Sequence, residues 1–242
     1  ILDGQASIKK LLKKAVAYGM RGMAVTDHGD MFGIKELFDE CNSLNKGRKK
    51  EGLEPFKPIL GCEMYVARRG MKLQNQDKVH PEDRGGYHLI VLAKNYNGYK
   101  NLIQLVSDSW VDGFYGKPRT DHEQLEKYHK DLIICSACIG GEVPAKILRG
   151  DIEGARKAIE WHKRIWGDDY YLEIQRHEVK NPNIRANRDT YPLQQQANAK
   201  ILELAKEYGI KVVCTNDVHF VDEDNAEAHD HLLCLSTGKD LD

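Results

Sequence analysis

The sequence predicts an α/β fold: a distorted, TIM-like barrel of mostly parallel strands with helices outside. Strand-like and helix-like segments alternate about six times along the 242 residues. The strand-like runs are short and apolar throughout, as strands covered on both faces are. Several end in side chains able to hold a metal, which suits a barrel with its chemistry gathered at the C-terminal rim. An open, doubly wound sheet is the rival architecture.

Taken in order, Ser7 precedes IKKLLKKAVAYG, where Ile8, Leu11, Leu12, Ala15 and Val16 recur at helical spacing and Gly19 supplies a stop. MAVT (23–26) is a strand and IKELFDECNSLN (34–45) a helix. A longer apolar run, PILGCEMYVA, covers 58–67. RRGMKLQNQDKVHPEDRGG (68–86) shows no period and reads as a mobile polar loop. The strand YHLIVLA (87–93) follows, then helices around NGYKNLIQLVSDSW (97–110) and DHEQLEKYHK (121–130). LIICSAC (132–138) is a strand that leads into the helices GEVPAKIL (141–148) and IEGARKAIEWHKRIWG (152–167). YYLEIQ (170–175) and KVVCTN (211–216) are strands on either side of the long helix PLQQQANAKILELAKEYG (192–209). NAEAHDHLLCLSTG (225–238) forms the last helix, and no internal repeat or low-complexity segment is present.

Composition narrows the function classes. Thirty-six basic residues face 37 acidic ones, for a formal charge of −1, so bulk electrostatics do not impose a polyanion partner. No apolar run is long enough to span a bilayer and no signal-peptide pattern is present. Six scattered cysteines, mostly inside apolar runs, fit free thiols in a reducing, cytoplasmic compartment. The opening ILDGQASIKK has no methionine, as expected for a fragment.

The chemistry lies at the strand ends. TDHG offers Asp27 and His28, LGCEMY Glu63, YHLIV His88, SACIGGE Cys138 and Glu142, LEIQRHE Glu173 and His177, and TNDVHF Asp217 and His219. Imidazole, carboxylate and thiolate are the ligand types of zinc, manganese and iron. Asp217 and His219, two apart in an extended chain, would point to one side. So many polar groups converging would be costly to desolvate unless something paired them.

These same stretches, AVTDHGDMFGIKELF, PILGCEMYVA, YHLIVLAKNYNGYKNL, ICSACIGGE, YYLEIQRH and TNDVHFVDEDNAEAHDHLLCLSTGK, resemble the polymerase-and-histidinol-phosphatase (PHP) domain that opens bacterial replicative DNA polymerase alpha subunits. The similarity runs from Leu2 to Lys239, so the whole of 1–242 is expected to be one PHP domain of a longer polymerase chain. The resemblance implies a distorted barrel with up to three divalent ions (zinc, manganese, iron or magnesium) at its mouth. Asp3, His28 and His219 would share one ion, Asp217 would serve the first, Glu63 would bridge two, and His88 with Cys138 would complete the second. Glu63, Asp217 and His219 would stand closest to the catalytic step. His88 fits least well, because it begins its apolar run instead of ending it. The family's His-x-His pair, which precedes Asp3 elsewhere, does not occur upstream of it here, so this sequence is expected to be truncated at its N-terminus.

A site of this kind supports phosphoester hydrolysis, including 3′–5′ proofreading exonuclease activity. The parent chain would be a DNA-directed DNA polymerase, a nucleotidyltransferase of DNA replication. Its partners would be DNA, a separate exonuclease subunit and other replisome subunits, with no membrane involved. The alternatives are a non-catalytic scaffold that docks the exonuclease subunit, and a free-standing PHP phosphatase. Plainer readings stand beside these. Asp27 is expected to steady its neighbours, and Glu142 to favour the start of a helix. Cys62, Cys135, Cys214 and Cys234 read as core or near-core thiols, and His80, His122, His129 and His162 as residues of loops or outer helix faces.

Overall fold

The computed structural model describes residues 4–75, 78–180, 186–238 and 240. The chain divides into two compact units, one of residues 1–25, 33–59 and 217–242, the other of 26–32 and 60–216.

The first unit holds α1 (Ile8–Ala17), β1 (Gly22–Val25) and α2 (Gly33–Lys50), with α8 (Ala226–Thr237) from the far end of the chain. Ser7 caps α1 by accepting the Lys10 N–H at 3.4 Å, and the helix buries Leu12 and Ala15, three apart on one face. Gly22 is fixed by crowding, since a Cβ there would lie 2.7 Å from the Lys57 carbonyl oxygen. The helix α2 runs five residues past the expected end at 45. Its last turn carries Arg48, Lys49 and Lys50, charges that suit a helix C-terminus.

In the second unit β2 (Lys57–Val66) continues into a mixed, mostly parallel sheet. It pairs antiparallel with β3 (Tyr87–Ala93) and parallel with the two-residue β4 (Arg119–Thr120). The strand β3 pairs antiparallel with β5 (Leu132–Cys135), then β5 with β6 (Tyr170–Gln175) and β6 with β7 (Lys211–Thr215) are parallel. The α/β class is therefore the expected one, with β3 reversed against both neighbours. The helices α3 (Tyr96–Val111), α4 (His122–Lys127), α5 (Glu142–Leu148), α6 (Ile152–Trp166) and α7 (Tyr191–Tyr208) accompany the sheet. Leu102, Leu105, Leu132, Ile134, Ile159, Leu172 and Leu204 form the centre of its core, each essentially without solvent exposure. Burial of such a side chain contributes roughly 1.5–3 kcal/mol. The strand expected through 138 stops at Cys135, and the chain turns at once.

The segment 68–86, expected to be a mobile loop, is tied down at several of its described residues. Fully buried Arg119 donates to the carbonyl oxygens of Leu73 and Gly113 at 2.9 Å and to those of Met71 and Asp83. The buried Asp83 carboxylate pairs with Arg69 and accepts the Asn75 N–H at 3.2 Å. A single 3₁₀ turn, Pro81–Arg84, lies inside the segment. Periodicity could not reveal it, because a guanidinium organises the segment instead of an apolar stripe.

All six cysteines are free. Cys62 and Cys135 are buried as expected, whereas Cys214 is exposed. No helix among the described residues is long and apolar enough to cross a membrane.

His162 also departs from expectation. It is buried in α6, its ring stacked on Tyr170 with centroids 5.0 Å apart, and its Nδ1 lies 2.8 Å from the Ala158 carbonyl oxygen. Beside it the Glu142 carboxylate meets Lys146 at 2.9 Å and His122 at 3.4 Å, so Glu142 ties these side chains together as well as opening its helix. Burial pushes His162 down to about 4. Burial pushes the Glu142 carboxyl up, but His122 and Lys146 outweigh it and hold the carboxyl at about 2.

Both groups bind fewer protons folded than unfolded, so stability falls as the medium is acidified. His162 acts between pH 6.5 and about 4, and Glu142 between 4.5 and about 2. The His162 step is worth about 3 kcal/mol. Urea melts at pH 7, 5.5 and 4 check this. The loss over that range should shrink in His162→Phe, and equal losses in variant and wild type would contradict the assignment.

Candidate metal centre

The second unit brings together four of the residues picked out in the sequence: His28, Glu63, His88 and Cys138. Glu63 sits within β2, with Cys62 and Met64 on the opposite face in the apolar core. His28 lies on the turn after β1, which joins β2 as a one-residue parallel bridge between His28 and Glu63. The Asp27 carbonyl accepts the Glu63 N–H at 3.0 Å, and the Gly29 N–H donates to the Glu63 carbonyl at 2.8 Å. Gly29 has φ +68°, and a Cβ there would lie 2.5 Å from Pro118 Cγ, so the TDHG turn admits only glycine.

The reversal of β3 resolves the difficulty with His88. Because β3 runs against β2, its first residues lie beside the last residues of β2, and His88 stands in register with Tyr65. Beginning an antiparallel strand and ending a parallel one lead to the same rim. On its other side His88 donates its N–H to the Gly140 carbonyl at 3.0 Å. That contact belongs to the turn after β5 that carries Cys138.

The donor atoms of Glu63, His88 and Cys138 all lie within 4.8 Å of one another. Cys138 Sγ is 3.5 Å from His88 Nδ1, and His28 Nδ1 is 3.3 Å from Glu63 Oε1, against which His88 Nδ1 also rests. The rings of His28 and His88 have centroids 6.1 Å apart, and Tyr65 stands edge-on to His88 at 5.3 Å. Burial pushes the Glu63 carboxyl up, yet the two imidazoles prevail and hold it at about 2. Its Oε1 is buried and accepts no aligned hydrogen bond from the described residues. A carboxylate oxygen, imidazole nitrogens and a sulfur thus crowd together around one point. This is how ligands around a cation are disposed, and a cation would relieve the cost of the unmet oxygen.

Thiol chemistry separates the cysteines. Burial pushes Cys62 well up, and its Sγ is engaged with the Asp27 carbonyl at 3.5 Å. Burial and the charge of Glu173 push Cys135 to about 12. Cys138 is only half-buried, with its Sγ 3.5 Å from the His88 imidazole.

Asp217 and His219 belong to the first unit. Asp217 has φ +47°, so the pair sits on a turn and not on the extended chain expected from its spacing. Even so, His219 Nδ1 lies 2.7 Å from the Asp217 carbonyl oxygen and 3.8 Å from its carboxylate. The N–H groups of Gln5 and Ala6 both donate to the His219 carbonyl, at 2.7 and 3.1 Å. Asp3 lies outside the described residues. Sequence reasoning missed Tyr65 and Gly140. A Cβ at Gly140 would lie 3.2 Å from His88 Nδ1, and the Gly-Gly after Cys138 was the available signal.

The PHP domain family matches residues 1–177. DNA polymerase III subunit alpha of Borreliella burgdorferi is 40% identical over 238 residues, 98% of this chain and 19% of the relative. The same subunit of Deinococcus radiodurans is 35% identical over 98% of this chain and 16% of its own length. That of Treponema pallidum is 35% identical over 99% and 18%. The chain therefore spans less than a fifth of each of these relatives. With the family match covering well over half of its length, the chain belongs to the PHP domain family.

Proposed function

We propose that residues 1–242 form the metal-binding PHP domain of a bacterial replicative DNA polymerase alpha subunit, and that its donor cluster supports phosphoester hydrolysis, including 3′–5′ removal of nucleotides. The observation that carries this is the convergence of Glu63, His88 and Cys138 around a buried carboxylate oxygen that accepts no hydrogen bond among the described residues. His28 joins the proposed ligand set through its place beside Glu63. A mixed carboxylate, imidazole and thiolate set favours zinc, manganese or iron over magnesium. When bound, a divalent ion supplies charge to a phosphoryl oxygen and acidifies a water.

The chain's own residues do the rest. Glu63 provides negative charge that burial cannot neutralise, because the flanking imidazoles keep it ionised. The turn around Gly29 and the strand β3 fix His28 and His88 against it. In the parent chain, a DNA-directed DNA polymerase acting in the cytoplasm, DNA, an exonuclease subunit and other replisome subunits would be the partners. The 35–40% identity to polymerase alpha subunits over nearly the whole of this chain favours that parent over a free-standing phosphatase.

The test equilibrates the protein with zinc, manganese, iron or magnesium, then measures bound metal and nucleotide release from 3′-labelled single-stranded DNA. Bound metal with release, both lost in His88→Ala, is the expected result. Metal without release under any ion would remove hydrolysis and leave the docking role. No bound metal would remove the proposal.

A further inference from the structure

We propose that Glu173 is the residue that positions Cys138 for the cation, without binding the cation itself. The inference rests on the metal-binding reading above. Glu173, in β6, is 4% exposed. Its N–H donates to Ser136 Oγ at 2.8 Å. Its carboxylate gathers three donors: the Ala137 N–H on Oε2 at 3.1 Å, and Gln175 Nε2 at 3.2 Å with the Thr215 hydroxyl on Oε1. The strand thus grips both residues that precede Cys138, one through its backbone and one through its side chain.

Those residues need a restraint. Ala137 has φ +63°, a left-handed conformation that side chains other than glycine rarely adopt. It persists only where surrounding contacts over-determine it, and the Glu173 carboxylate is the contact that fixes its N–H. Beyond it the turn is closed, for the Gly141 N–H donates to the Cys138 carbonyl at 2.8 Å. A Cβ at Gly141 would lie only 2.0 Å from the Ser136 carbonyl oxygen. Within that turn Cys138 Sγ comes to 3.5 Å from His88 Nδ1. Relaxing Ala137 to an ordinary φ would turn the following residue, and the sulfur would leave the cluster. A carboxylate at a strand end also invites a ligand role, but both oxygens of Glu173 are already engaged by donors of the chain.

Two measurements on the full chain test this: residue-resolved amide exchange without metal, and a cobalt(II) titration followed through the thiolate-to-metal absorption band. In Glu173→Ala the Ala137 amide should exchange faster, and cobalt affinity should fall roughly 10–100-fold with loss of the thiolate band. Glu173→Gln keeps an oxygen for the Ala137 N–H, and the buried Gln175 Oε1, which accepts no hydrogen bond among the described residues, can take the new amide hydrogen. It should therefore behave like wild type in both measurements. Unchanged exchange at Ala137 in Glu173→Ala would overturn the proposal. So would a Gln variant as damaged as the Ala variant in cobalt binding, since that is the mark of a ligand. If wild type takes up no cobalt, the metal-binding reading fails, while amide exchange still decides whether Glu173 holds the turn. Should Glu173→Ala not fold, Thr215→Val takes its place. It removes one donor from the carboxylate and should speed Ala137 exchange in the same direction, and unchanged exchange there would again overturn the proposal.

Discussion

Arg119→Met is expected to lower the free energy of unfolding by about 4 kcal/mol, since four carbonyl oxygens would lose their donor. Methionine keeps the apolar stem but deletes every donor. The carbonyl oxygens of Met71, Leu73, Asp83 and Gly113 would then lose the guanidinium. Each lost bond of this kind costs roughly 1 kcal/mol or more, because the acceptor stays away from water. Arg119 is fully buried, and burial pulls its pKa down without removing the charge. The consequence should reach the site, because Arg119 pairs with Tyr65 across β4 and β2, and Tyr65 stands against His88. Urea unfolding with limited proteolysis checks both points. Cleavage should appear within 68–86 before the rest of the chain opens. A midpoint equal to that of wild type would show that the four carbonyls find other donors.

The sequence conveyed the alternation of strands and helices, and most helix limits, because apolar residues there follow the period of the element they build. Helix α7 is one instance, with Gly209 in the left-handed region where its C-terminus was expected. What it did not convey were features set by single polar contacts or by strand direction. An apolar run such as YHLIVLA reads the same in either direction, so the reversal of β3 was invisible, and His88 looked misplaced while it was assumed parallel. The segment 68–86 has no period because Arg119, more than thirty residues later, organises it. His162 looked like a residue of an outer face because composition cannot show that Tyr170 covers it. At the metal centre the ligand types were legible one by one. The turn at Ala137 and its restraint by Glu173 were not, since an alanine with positive φ leaves no mark in composition or spacing.

Glu63→Gln is expected to abolish the gain in thermal stability that a divalent cation confers, and to lower the stability of the metal-free protein at neutral pH. The two halves have separate causes. Without a cation, Glu63 is a buried charge whose solvation is replaced only by His28 and His88, and Oε1 receives no aligned hydrogen bond. An amide of the same shape removes the charge that the two imidazoles hold ionised against burial, so that favourable interaction is lost. With a cation, the carboxylate is the only anionic oxygen in the cluster with His88 and Cys138. Its loss removes charge from the middle of the donor set. A ligand that binds only the folded state stabilises it by about 2.7 kcal/mol at a hundredfold excess over its dissociation constant. Calorimetry with and without zinc or manganese should therefore show a rise in Tm for wild type and none for Glu63→Gln. His122→Gln, which lies in the Glu142 cluster instead, should keep the rise. An equal rise in Glu63→Gln would place the cation elsewhere and leave the convergence of Glu63, His88 and Cys138 as packing alone.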